Sequence, residues 1–418
     1  MNNIKLPNRN NILKFFIIVF ILVSVVLIPG CQTKQALGAT STAETKPVQI
    51  TGTISDTALA QSTETIVQET TASISSETSM QAETTVLETI EKLSSQLITG
   101  NINIFSGLEI SDAVLNSRPI AVMVENTPDA RPQSGLINAD IVFEVVDEGG
   151  ITRFVSVFSS FDAEIVGPVR SSRPYYAEIA RGLDPVYVFW GTAPQFYKII
   201  EQLGLDYITP LGDPTDYSNI DANLVVNGIE SKRDPTRVSP HNAYTFTPSI
   251  KEVAEKLGYS LEGGQSPLTF KVDASELDRG DISNITVDFS GPQYITEFSY
   301  DAASNSYLRS VAGYPSIDRE SGKQITLNNV IVMITDIVNS GDKAGHMIVR
   351  TTQEGKAYYF FDGKMLEGTW SRYSALKPFE FKDESGNAVL FNRGKTWVAM
   401  IPEVERLTYG LLLTGPKV

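Results

Sequence analysis

The residues best suited to chemistry fall into three groups. The densest is Gly167-Pro168-Val169-Arg170-Ser171-Ser172-Arg173, which runs into Pro174 and a segment with helical spacing. Two guanidinium forks and two hydroxyls beside a helix start, where backbone N–H groups lack intrahelical acceptors, would cradle an anion. The same residues suit a structural role, with Ser171 or Ser172 capping the helix and both arginines pairing with carboxylates. A second group, Arg233, Arg237, His241, Asn242 and Tyr244, combines cations with one of the chain's two histidines. Like charge nearby lowers a histidine's pKa, so His241 is a candidate acid or base; a loop histidine bonded to backbone carbonyls is the alternative.

Carboxylates form the third group. Glu144 interrupts the apolar run Ile141-Val142-Phe143-Glu144-Val145-Val146 and should be buried; a buried carboxylate needs a partner, and Arg153 across a hairpin is the expected one. Glu125 and Asn126 follow Ile120–Val124 at a strand end, where α/β sheets place ligands, which makes Glu125 a second candidate base. Asp140, Glu144, Asp147 and Glu148 match no fixed metal-ligand spacing, and neither a metal nor another cofactor is expected. The candidate ligand-binding set is therefore Asn126, Arg131, Glu144, Glu148, Arg153, Arg170, Ser171, Ser172, Arg173, Arg233, Arg237, His241, Asn242 and Tyr244, with Glu125 and His241 as the candidate catalytic pair of groups. Trp370 and Trp397, two and three residues after Gly368 and Gly394, would stack on sugar rings if exposed and pack the core if buried.

These side chains must be positioned by strands and helices of ordinary length. Ile120–Val124, Ile141–Val146, Phe154–Phe158 and Val186–Trp190 read as strands, the second and third joined through Asp147-Glu148-Gly149-Gly150 as an antiparallel hairpin. Pro174–Arg181, Pro194–Leu203 and Pro248–Leu257 read as helices, opened near a proline and closed before Gly182, Gly204 and Gly258. Residues 259–282 read as a linker. Beyond it, short strands recur at Ile285–Phe289, Tyr294–Tyr300, Tyr307–Val311, Val330–Val338, His346–Arg350, Ala357–Phe361 and Thr396–Ile401, and predict a mainly β part built as a sandwich or partly closed barrel. The fold class expected is α+β: a mixed α/β domain over 113–258, then a mainly β domain over 283–418.

Composition narrows the function. Lys and Arg total 34 against 49 Asp and Glu, a net charge of −15, which disfavours nucleic acid as a partner. One cysteine and two histidines leave no disulfide framework or zinc module. There is no P-loop, no Gly-x-Ser-x-Gly elbow and no His-Glu-x-x-His. Residues 1–30 combine basic Lys5, Arg9 and Lys14 with the apolar run Phe15–Ile28, too short for a bilayer span but suited to a secretory signal. The lone Cys31 follows directly and is the expected lipid attachment point, as in a bacterial lipobox. Removal of the leader takes the charge from −15 to −18, so acyl chains rather than basic residues would hold the chain to membrane. Residues 31–105, rich in Ser and Thr, read as a disordered tether.

Longer patterns carry a resemblance. Arg118-Pro119-Ile120-Ala121-Val122-Met123-Val124-Glu125-Asn126, Ala130-Arg131-Pro132-Gln133-Ser134-Gly135-Leu136, Glu148-Gly149-Gly150-Ile151-Thr152-Arg153 and Gly167–Arg173, with Pro240-His241-Asn242-Ala243-Tyr244 and Gly394-Lys395-Thr396-Trp397, resemble the YerB-like lipoproteins of Gram-positive bacteria. The resemblance spans residues 113–410 and implies two domains and an envelope location, without an activity. A looser likeness, to the LytR-CpsA-Psr phosphotransferases, implies that Arg131, Arg153, Arg170 and Arg173 could gather around a pyrophosphate. The expected protein is lipid-anchored on the extracytoplasmic face of the bacterial cell membrane. It would bind an anionic or carbohydrate wall component through an arginine-rich cleft. The alternatives are an envelope enzyme, transferring or hydrolysing phosphoryl or glycosyl groups, and a protein-binding scaffold for wall synthesis.

Overall fold

The computed structural model describes residues 100–112, 115–209, 225–226, 229–230 and 232–410. The leader with Cys31, the tether up to residue 99 and the Arg233 side chain lie outside what is described. The first half of the fold supplies β1 (Ile120–Glu125), β2 (Ile141–Val146), β3 (Thr152–Phe158), α1 (Pro174–Leu183), β4 (Val186–Val188), α2 (Pro194–Gln202), β5 (Asp206–Ile208) and α3 (Thr247–Lys256). The second half adds β6 (Asn284–Asp288), β7 (Ile295–Asp301), β8 (Ser306–Val311), β9 (Asn329–Ile334), β10 (Gln353–Phe361), β11 (Lys364–Arg372), β12 (Glu380–Asp383), β13 (Thr396–Ile401) and β14 (Leu407–Gly410). The fold class is α+β. Among the described residues no helix is long and apolar enough to cross a membrane.

The two halves share one sheet. Its ten strands run β12-β11-β10-β9-β13-β2-β3-β1-β4-β5, so β13, late in the chain, lies between β9 and β2 and is parallel to both. This corrects the expected sandwich or barrel for the second half. Continuous apolar runs such as Ile120–Val124 and Val330–Met333 mark strands covered on both faces, and such strands belong at the centre of a sheet. The segment expected to be a single strand over Val330–Val338 breaks after Ile334, and Ile337–Asn339 turns away to pair with Met347–Val349.

One face of the sheet packs Ala121, Met123, Phe143, Val145 and Met400 against Tyr175, Tyr176, Ile179 and Leu183 of α1 and Tyr197 and Ile200 of α2. The other packs Val122, Val124, Phe154, Val332 and Trp397 against Ile250 and Val253 of α3 and Ile285, Val287 and Phe298 of a second sheet, β8-β7-β6-β14. β6 and β7 alternate buried and half-exposed residues, as strands with one dry face do. Trp370 and Trp397 are fully buried, so both serve the core.

Candidate functional site

Most of the candidate residues gather at one edge of the large sheet, where β1 and β2 end and β3 begins. Segment 167–172 lies along β1: Glu125 N–H donates to the Pro168 carbonyl at 2.9 Å, and Arg170 N–H to Met123 at 3.0 Å. On the segment's far side, Val169 N–H donates to the Ala243 carbonyl at 2.6 Å. That pairing brings the His241 loop alongside β1.

Glu125 and His241, 116 residues apart, meet directly: Nδ1 of His241 lies 2.9 Å from Oε1 of Glu125. Thr127 Oγ1 donates to the same carboxylate oxygen at 3.0 Å and lies 3.2 Å from Nδ1. Nε2 of His241 makes no hydrogen bond among the described residues, and in the tautomer that donates from Nδ1 it would carry the ring's lone pair. Arg170 completes this corner, its Nε 3.3 Å from Glu125 Oε1. Glu125 Oε2 is buried with no hydrogen-bond partner among the described residues.

Elsewhere along the edge, Asp147, Glu148, Arg153 and Arg173 form a second knot. Arg153 Nη1 lies 2.5 Å from Asp147 Oδ2, and Tyr175 donates to Asp147 Oδ1 at 2.8 Å. Arg173 grips Glu148 with both ends of its fork, Nε to Oε1 at 2.5 Å and Nη2 to Oε2 at 2.8 Å. Burial works against the charge on Asp147, yet Arg153 and Arg173 hold its pKa below the ordinary carboxylate value. Burial pushes Glu148 up, and neighbouring Asp147 adds to it. Burial also lowers Arg170, opposed by Glu125 and reinforced by Arg153 and Arg173. Three arginines therefore face three carboxylates, and the cluster is charge-compensated.

Arg170 is the exception in engagement. Its terminal nitrogens make no hydrogen bond among the described residues, and its side chain is 22% exposed. Ser171 and Ser172 do not cap α1: Ser171 Oγ donates to the Trp190 carbonyl at 3.0 Å and Ser172 Oγ pairs with Tyr187 Oη at 2.7 Å. The residue at the cap is Arg173, without a side-chain bond of that kind.

Other candidates sit elsewhere or are spent on structure. Arg237 donates to the Ala130 and Pro132 carbonyls at 2.6 and 2.7 Å, and Asn242 to those of Asp234 and Arg237 at 3.2 Å. Arg131 donates to Asn126 Oδ1 and to the Asn126 and Gln293 carbonyls, with its guanidinium 5.3 Å from the Tyr294 ring centre. Tyr244 lines a separate cavity of about 340 Å³ with Asp234 and Arg319, which pair at 2.5 Å. Of Arg233, only a backbone pairing with Ala243 is described.

Glu144 is buried as its apolar neighbours require, but its partner is Arg309, not Arg153. Arg153 stands opposite Val145 in the β2–β3 register, one residue out of phase with Glu144, so it points to the other face. Arg309 Nη2 lies 3.1 Å from Glu144 Oε2, which also accepts from Trp397 Nε1 at 3.0 Å. Thr152 and Asn126 donate to Oε1 at 2.8 and 3.2 Å. The sequence held a signal for Arg309: in Tyr307-Leu308-Arg309-Ser310-Val311 it shares the apolar, inward parity. His346, the first residue of the strand expected over His346–Arg350, reaches the second knot, its Nε2 3.8 Å from Glu148 Oε1 while Nδ1 pairs with Asp342 at 2.5 Å. Thr127, Tyr175 and His346 joined the site only through folding, for nothing local to them marks a ligand.

Fold and site together define an α+β protein with a polar cluster at the carboxyl ends of strands of its large sheet. The chain belongs to the family described as "Protein of unknown function (DUF3048)": residues 105–260 match its N-terminal domain and residues 285–398 its C-terminal domain. It is 33% identical over 332 residues to a Bacillus subtilis (strain 168) protein named "Putative lipoprotein YerB", covering 78% of this chain and 92% of that one. It is also similar to the crystal structure of YerB protein from Bacillus subtilis, at 32% identity and a TM-score of 0.64, over 74% of this chain and 99% of that one.

Proposed function

We propose that this YerB-type protein is anchored through lipidated Cys31 to the extracytoplasmic face of the cell membrane and binds an anionic wall component at the carboxyl edge of its large sheet. The leader and lone cysteine support the anchor, as does the lipoprotein name of the relative. The observation that carries the binding reading is Arg170: half-buried, beside Glu125, with both terminal nitrogens unengaged among the described residues. A guanidinium so placed takes a phosphate or carboxylate in two parallel hydrogen bonds. Full-length chain in neutral detergent should bind short glycerol-phosphate oligomers, and Arg170→Ala should weaken that binding by about tenfold or more. Equal affinity in parent and variant would overturn the reading.

A second reading, an acid–base enzyme, is favoured by the His241–Glu125 pair. A carboxylate that accepts from Nδ1–H and leaves Nε2 without a partner among the described residues is the arrangement of a general base. Turnover of a phosphodiester or glycoside probe lost in both Glu125→Gln and His241→Ala, with binding retained, would favour it.

A further inference from the structure

At the opposite edge of the sheet, the parallel strands β2, β9 and β13 all begin around a cavity of about 480 Å³. Asp140, Asn328 and Gly394-Lys395 stand just before those strands, and Leu108, Phe161, Asp273, Thr326 and Arg393 complete the lining. None of this belongs to the cluster at the carboxyl edge.

The site is built rather than accidental. Ser106 accepts from Gly394 N–H at 2.7 Å, and Asn328 Oδ1 accepts from Lys395 N–H at 3.1 Å. Gly394 has φ +112°, and a Cβ there would collide with the Asn328 side chain, so the approach of the two loops requires glycine. The carboxylates of the lining are already satisfied. Asp140 Oδ2 accepts from Ser159 and Ser160 N–H at 2.7 and 2.8 Å, and Asp273 pairs with Arg393 at 3.3 Å.

The cations are only partly engaged. Lys395 forms no ion pair among the described residues; burial lowers its pKa, while Asp140 and Asp318 oppose that only from a distance. Arg393 leaves its buried Nε without an acceptor. A buried donor without a partner, such as Arg393 Nε, is costly, and an anion accepting from it removes the cost. Beside the cations stand half-buried Leu108 and exposed Phe161, the latter 52% exposed.

The geometry points to a second binding site, in which Lys395 and Arg393 hold a phosphate group whose apolar substituent rests on Phe161 and Leu108. The shared chemistry is a phosphate ester, whether a free phosphomonoester or the headgroup of an anionic lipid.

Calorimetric titration of the full chain in neutral detergent with phenyl phosphate should show saturable binding. Lys395→Met and Arg393→Met should each weaken it by about tenfold. Arg170→Ala should leave it unchanged, which separates this site from the carboxyl-edge cluster. Phe161→Ala, at an exposed ring, should weaken binding without unfolding, and Lys395→Arg should retain it. Competition with dihexanoyl phosphatidylglycerol below its micellar concentration distinguishes the sources: displacement marks a lipid headgroup, and its absence a free phosphomonoester. The inference is overturned if phenyl phosphate does not bind in the millimolar range, or if it binds folded Lys395→Met and Arg393→Met as it binds the parent.

Discussion

Glu144 shows how one buried residue is made tolerable. Its two oxygens receive four donors, from Asn126, Thr152, Arg309 and Trp397, and the Arg309 guanidinium lies 4.3 Å from the Trp397 ring centre. Burial lowers the Arg309 pKa, with Glu144 acting against that fall. Removing one member of a buried ion pair leaves the other uncompensated, which costs about 3–5 kcal/mol, whereas replacing both by apolar or neutral groups is often tolerated. Arg309→Met should therefore lower the urea midpoint sharply, and Arg309→Met with Glu144→Gln should recover part of the loss. A double variant no better than the single one would show that packing, rather than charge, dominates there.

Among the elements, the β2–β3 connection is tied to the start of α1 by the Glu148–Arg173 pair and to β3 by the Asp147–Arg153 pair. The two carboxylates respond to acid in opposite senses. Asp147 has a folded pKa below its unfolded value, so it stabilises the fold fully above about pH 4 and loses that contribution as the pH falls further. Glu148 has a raised folded pKa, so its ionised form is disfavoured at neutral pH and acid relieves it first. Denaturant midpoints measured from pH 7 to pH 3 should show Asp147→Asn less stable than the parent at neutral pH. The gap should close below about pH 4. A gap constant across the range would mean that the hydrogen bond from Tyr175, not the charge, was lost.

For the whole molecule the decisive feature is β13, which closes the sheet between strands of the two family segments. Residues 100–282 alone would leave β2 as an open edge of unpaired N–H and C=O groups and expose Phe154 and Val142, which pack near Trp397. That fragment should show no cooperative unfolding by itself and should gain it when co-expressed with residues 283–418. A cooperative transition in the isolated fragment would show that each segment folds independently.

Much of the local structure was legible because it depends on short-range patterns. Apolar runs of strand length, prolines at helix starts and glycines past the ends of α2 and α3 marked β1–β3 and α1–α3 to within a few residues, although α1 runs through Gly182 to Leu183, and the abundance of short strands marked the second half. The residues worth testing were legible too, since two adjacent serines between two arginines, and one of only two histidines, stand out in an acidic chain. Pairing was not legible. Which face Arg153 takes depends on a one-residue register, and Arg309 reaches Glu144 across 165 positions of sequence. The amino acids alone set the secondary structure, the polar outliers and the expected anchor at Cys31. Tertiary structure alone placed His241 on Glu125, matched each arginine of the cluster to a carboxylate and inserted β13 between β9 and β2. The reason is physical: propensity and periodicity act over a few residues, whereas charge compensation and strand order depend on contacts between segments far apart in the chain.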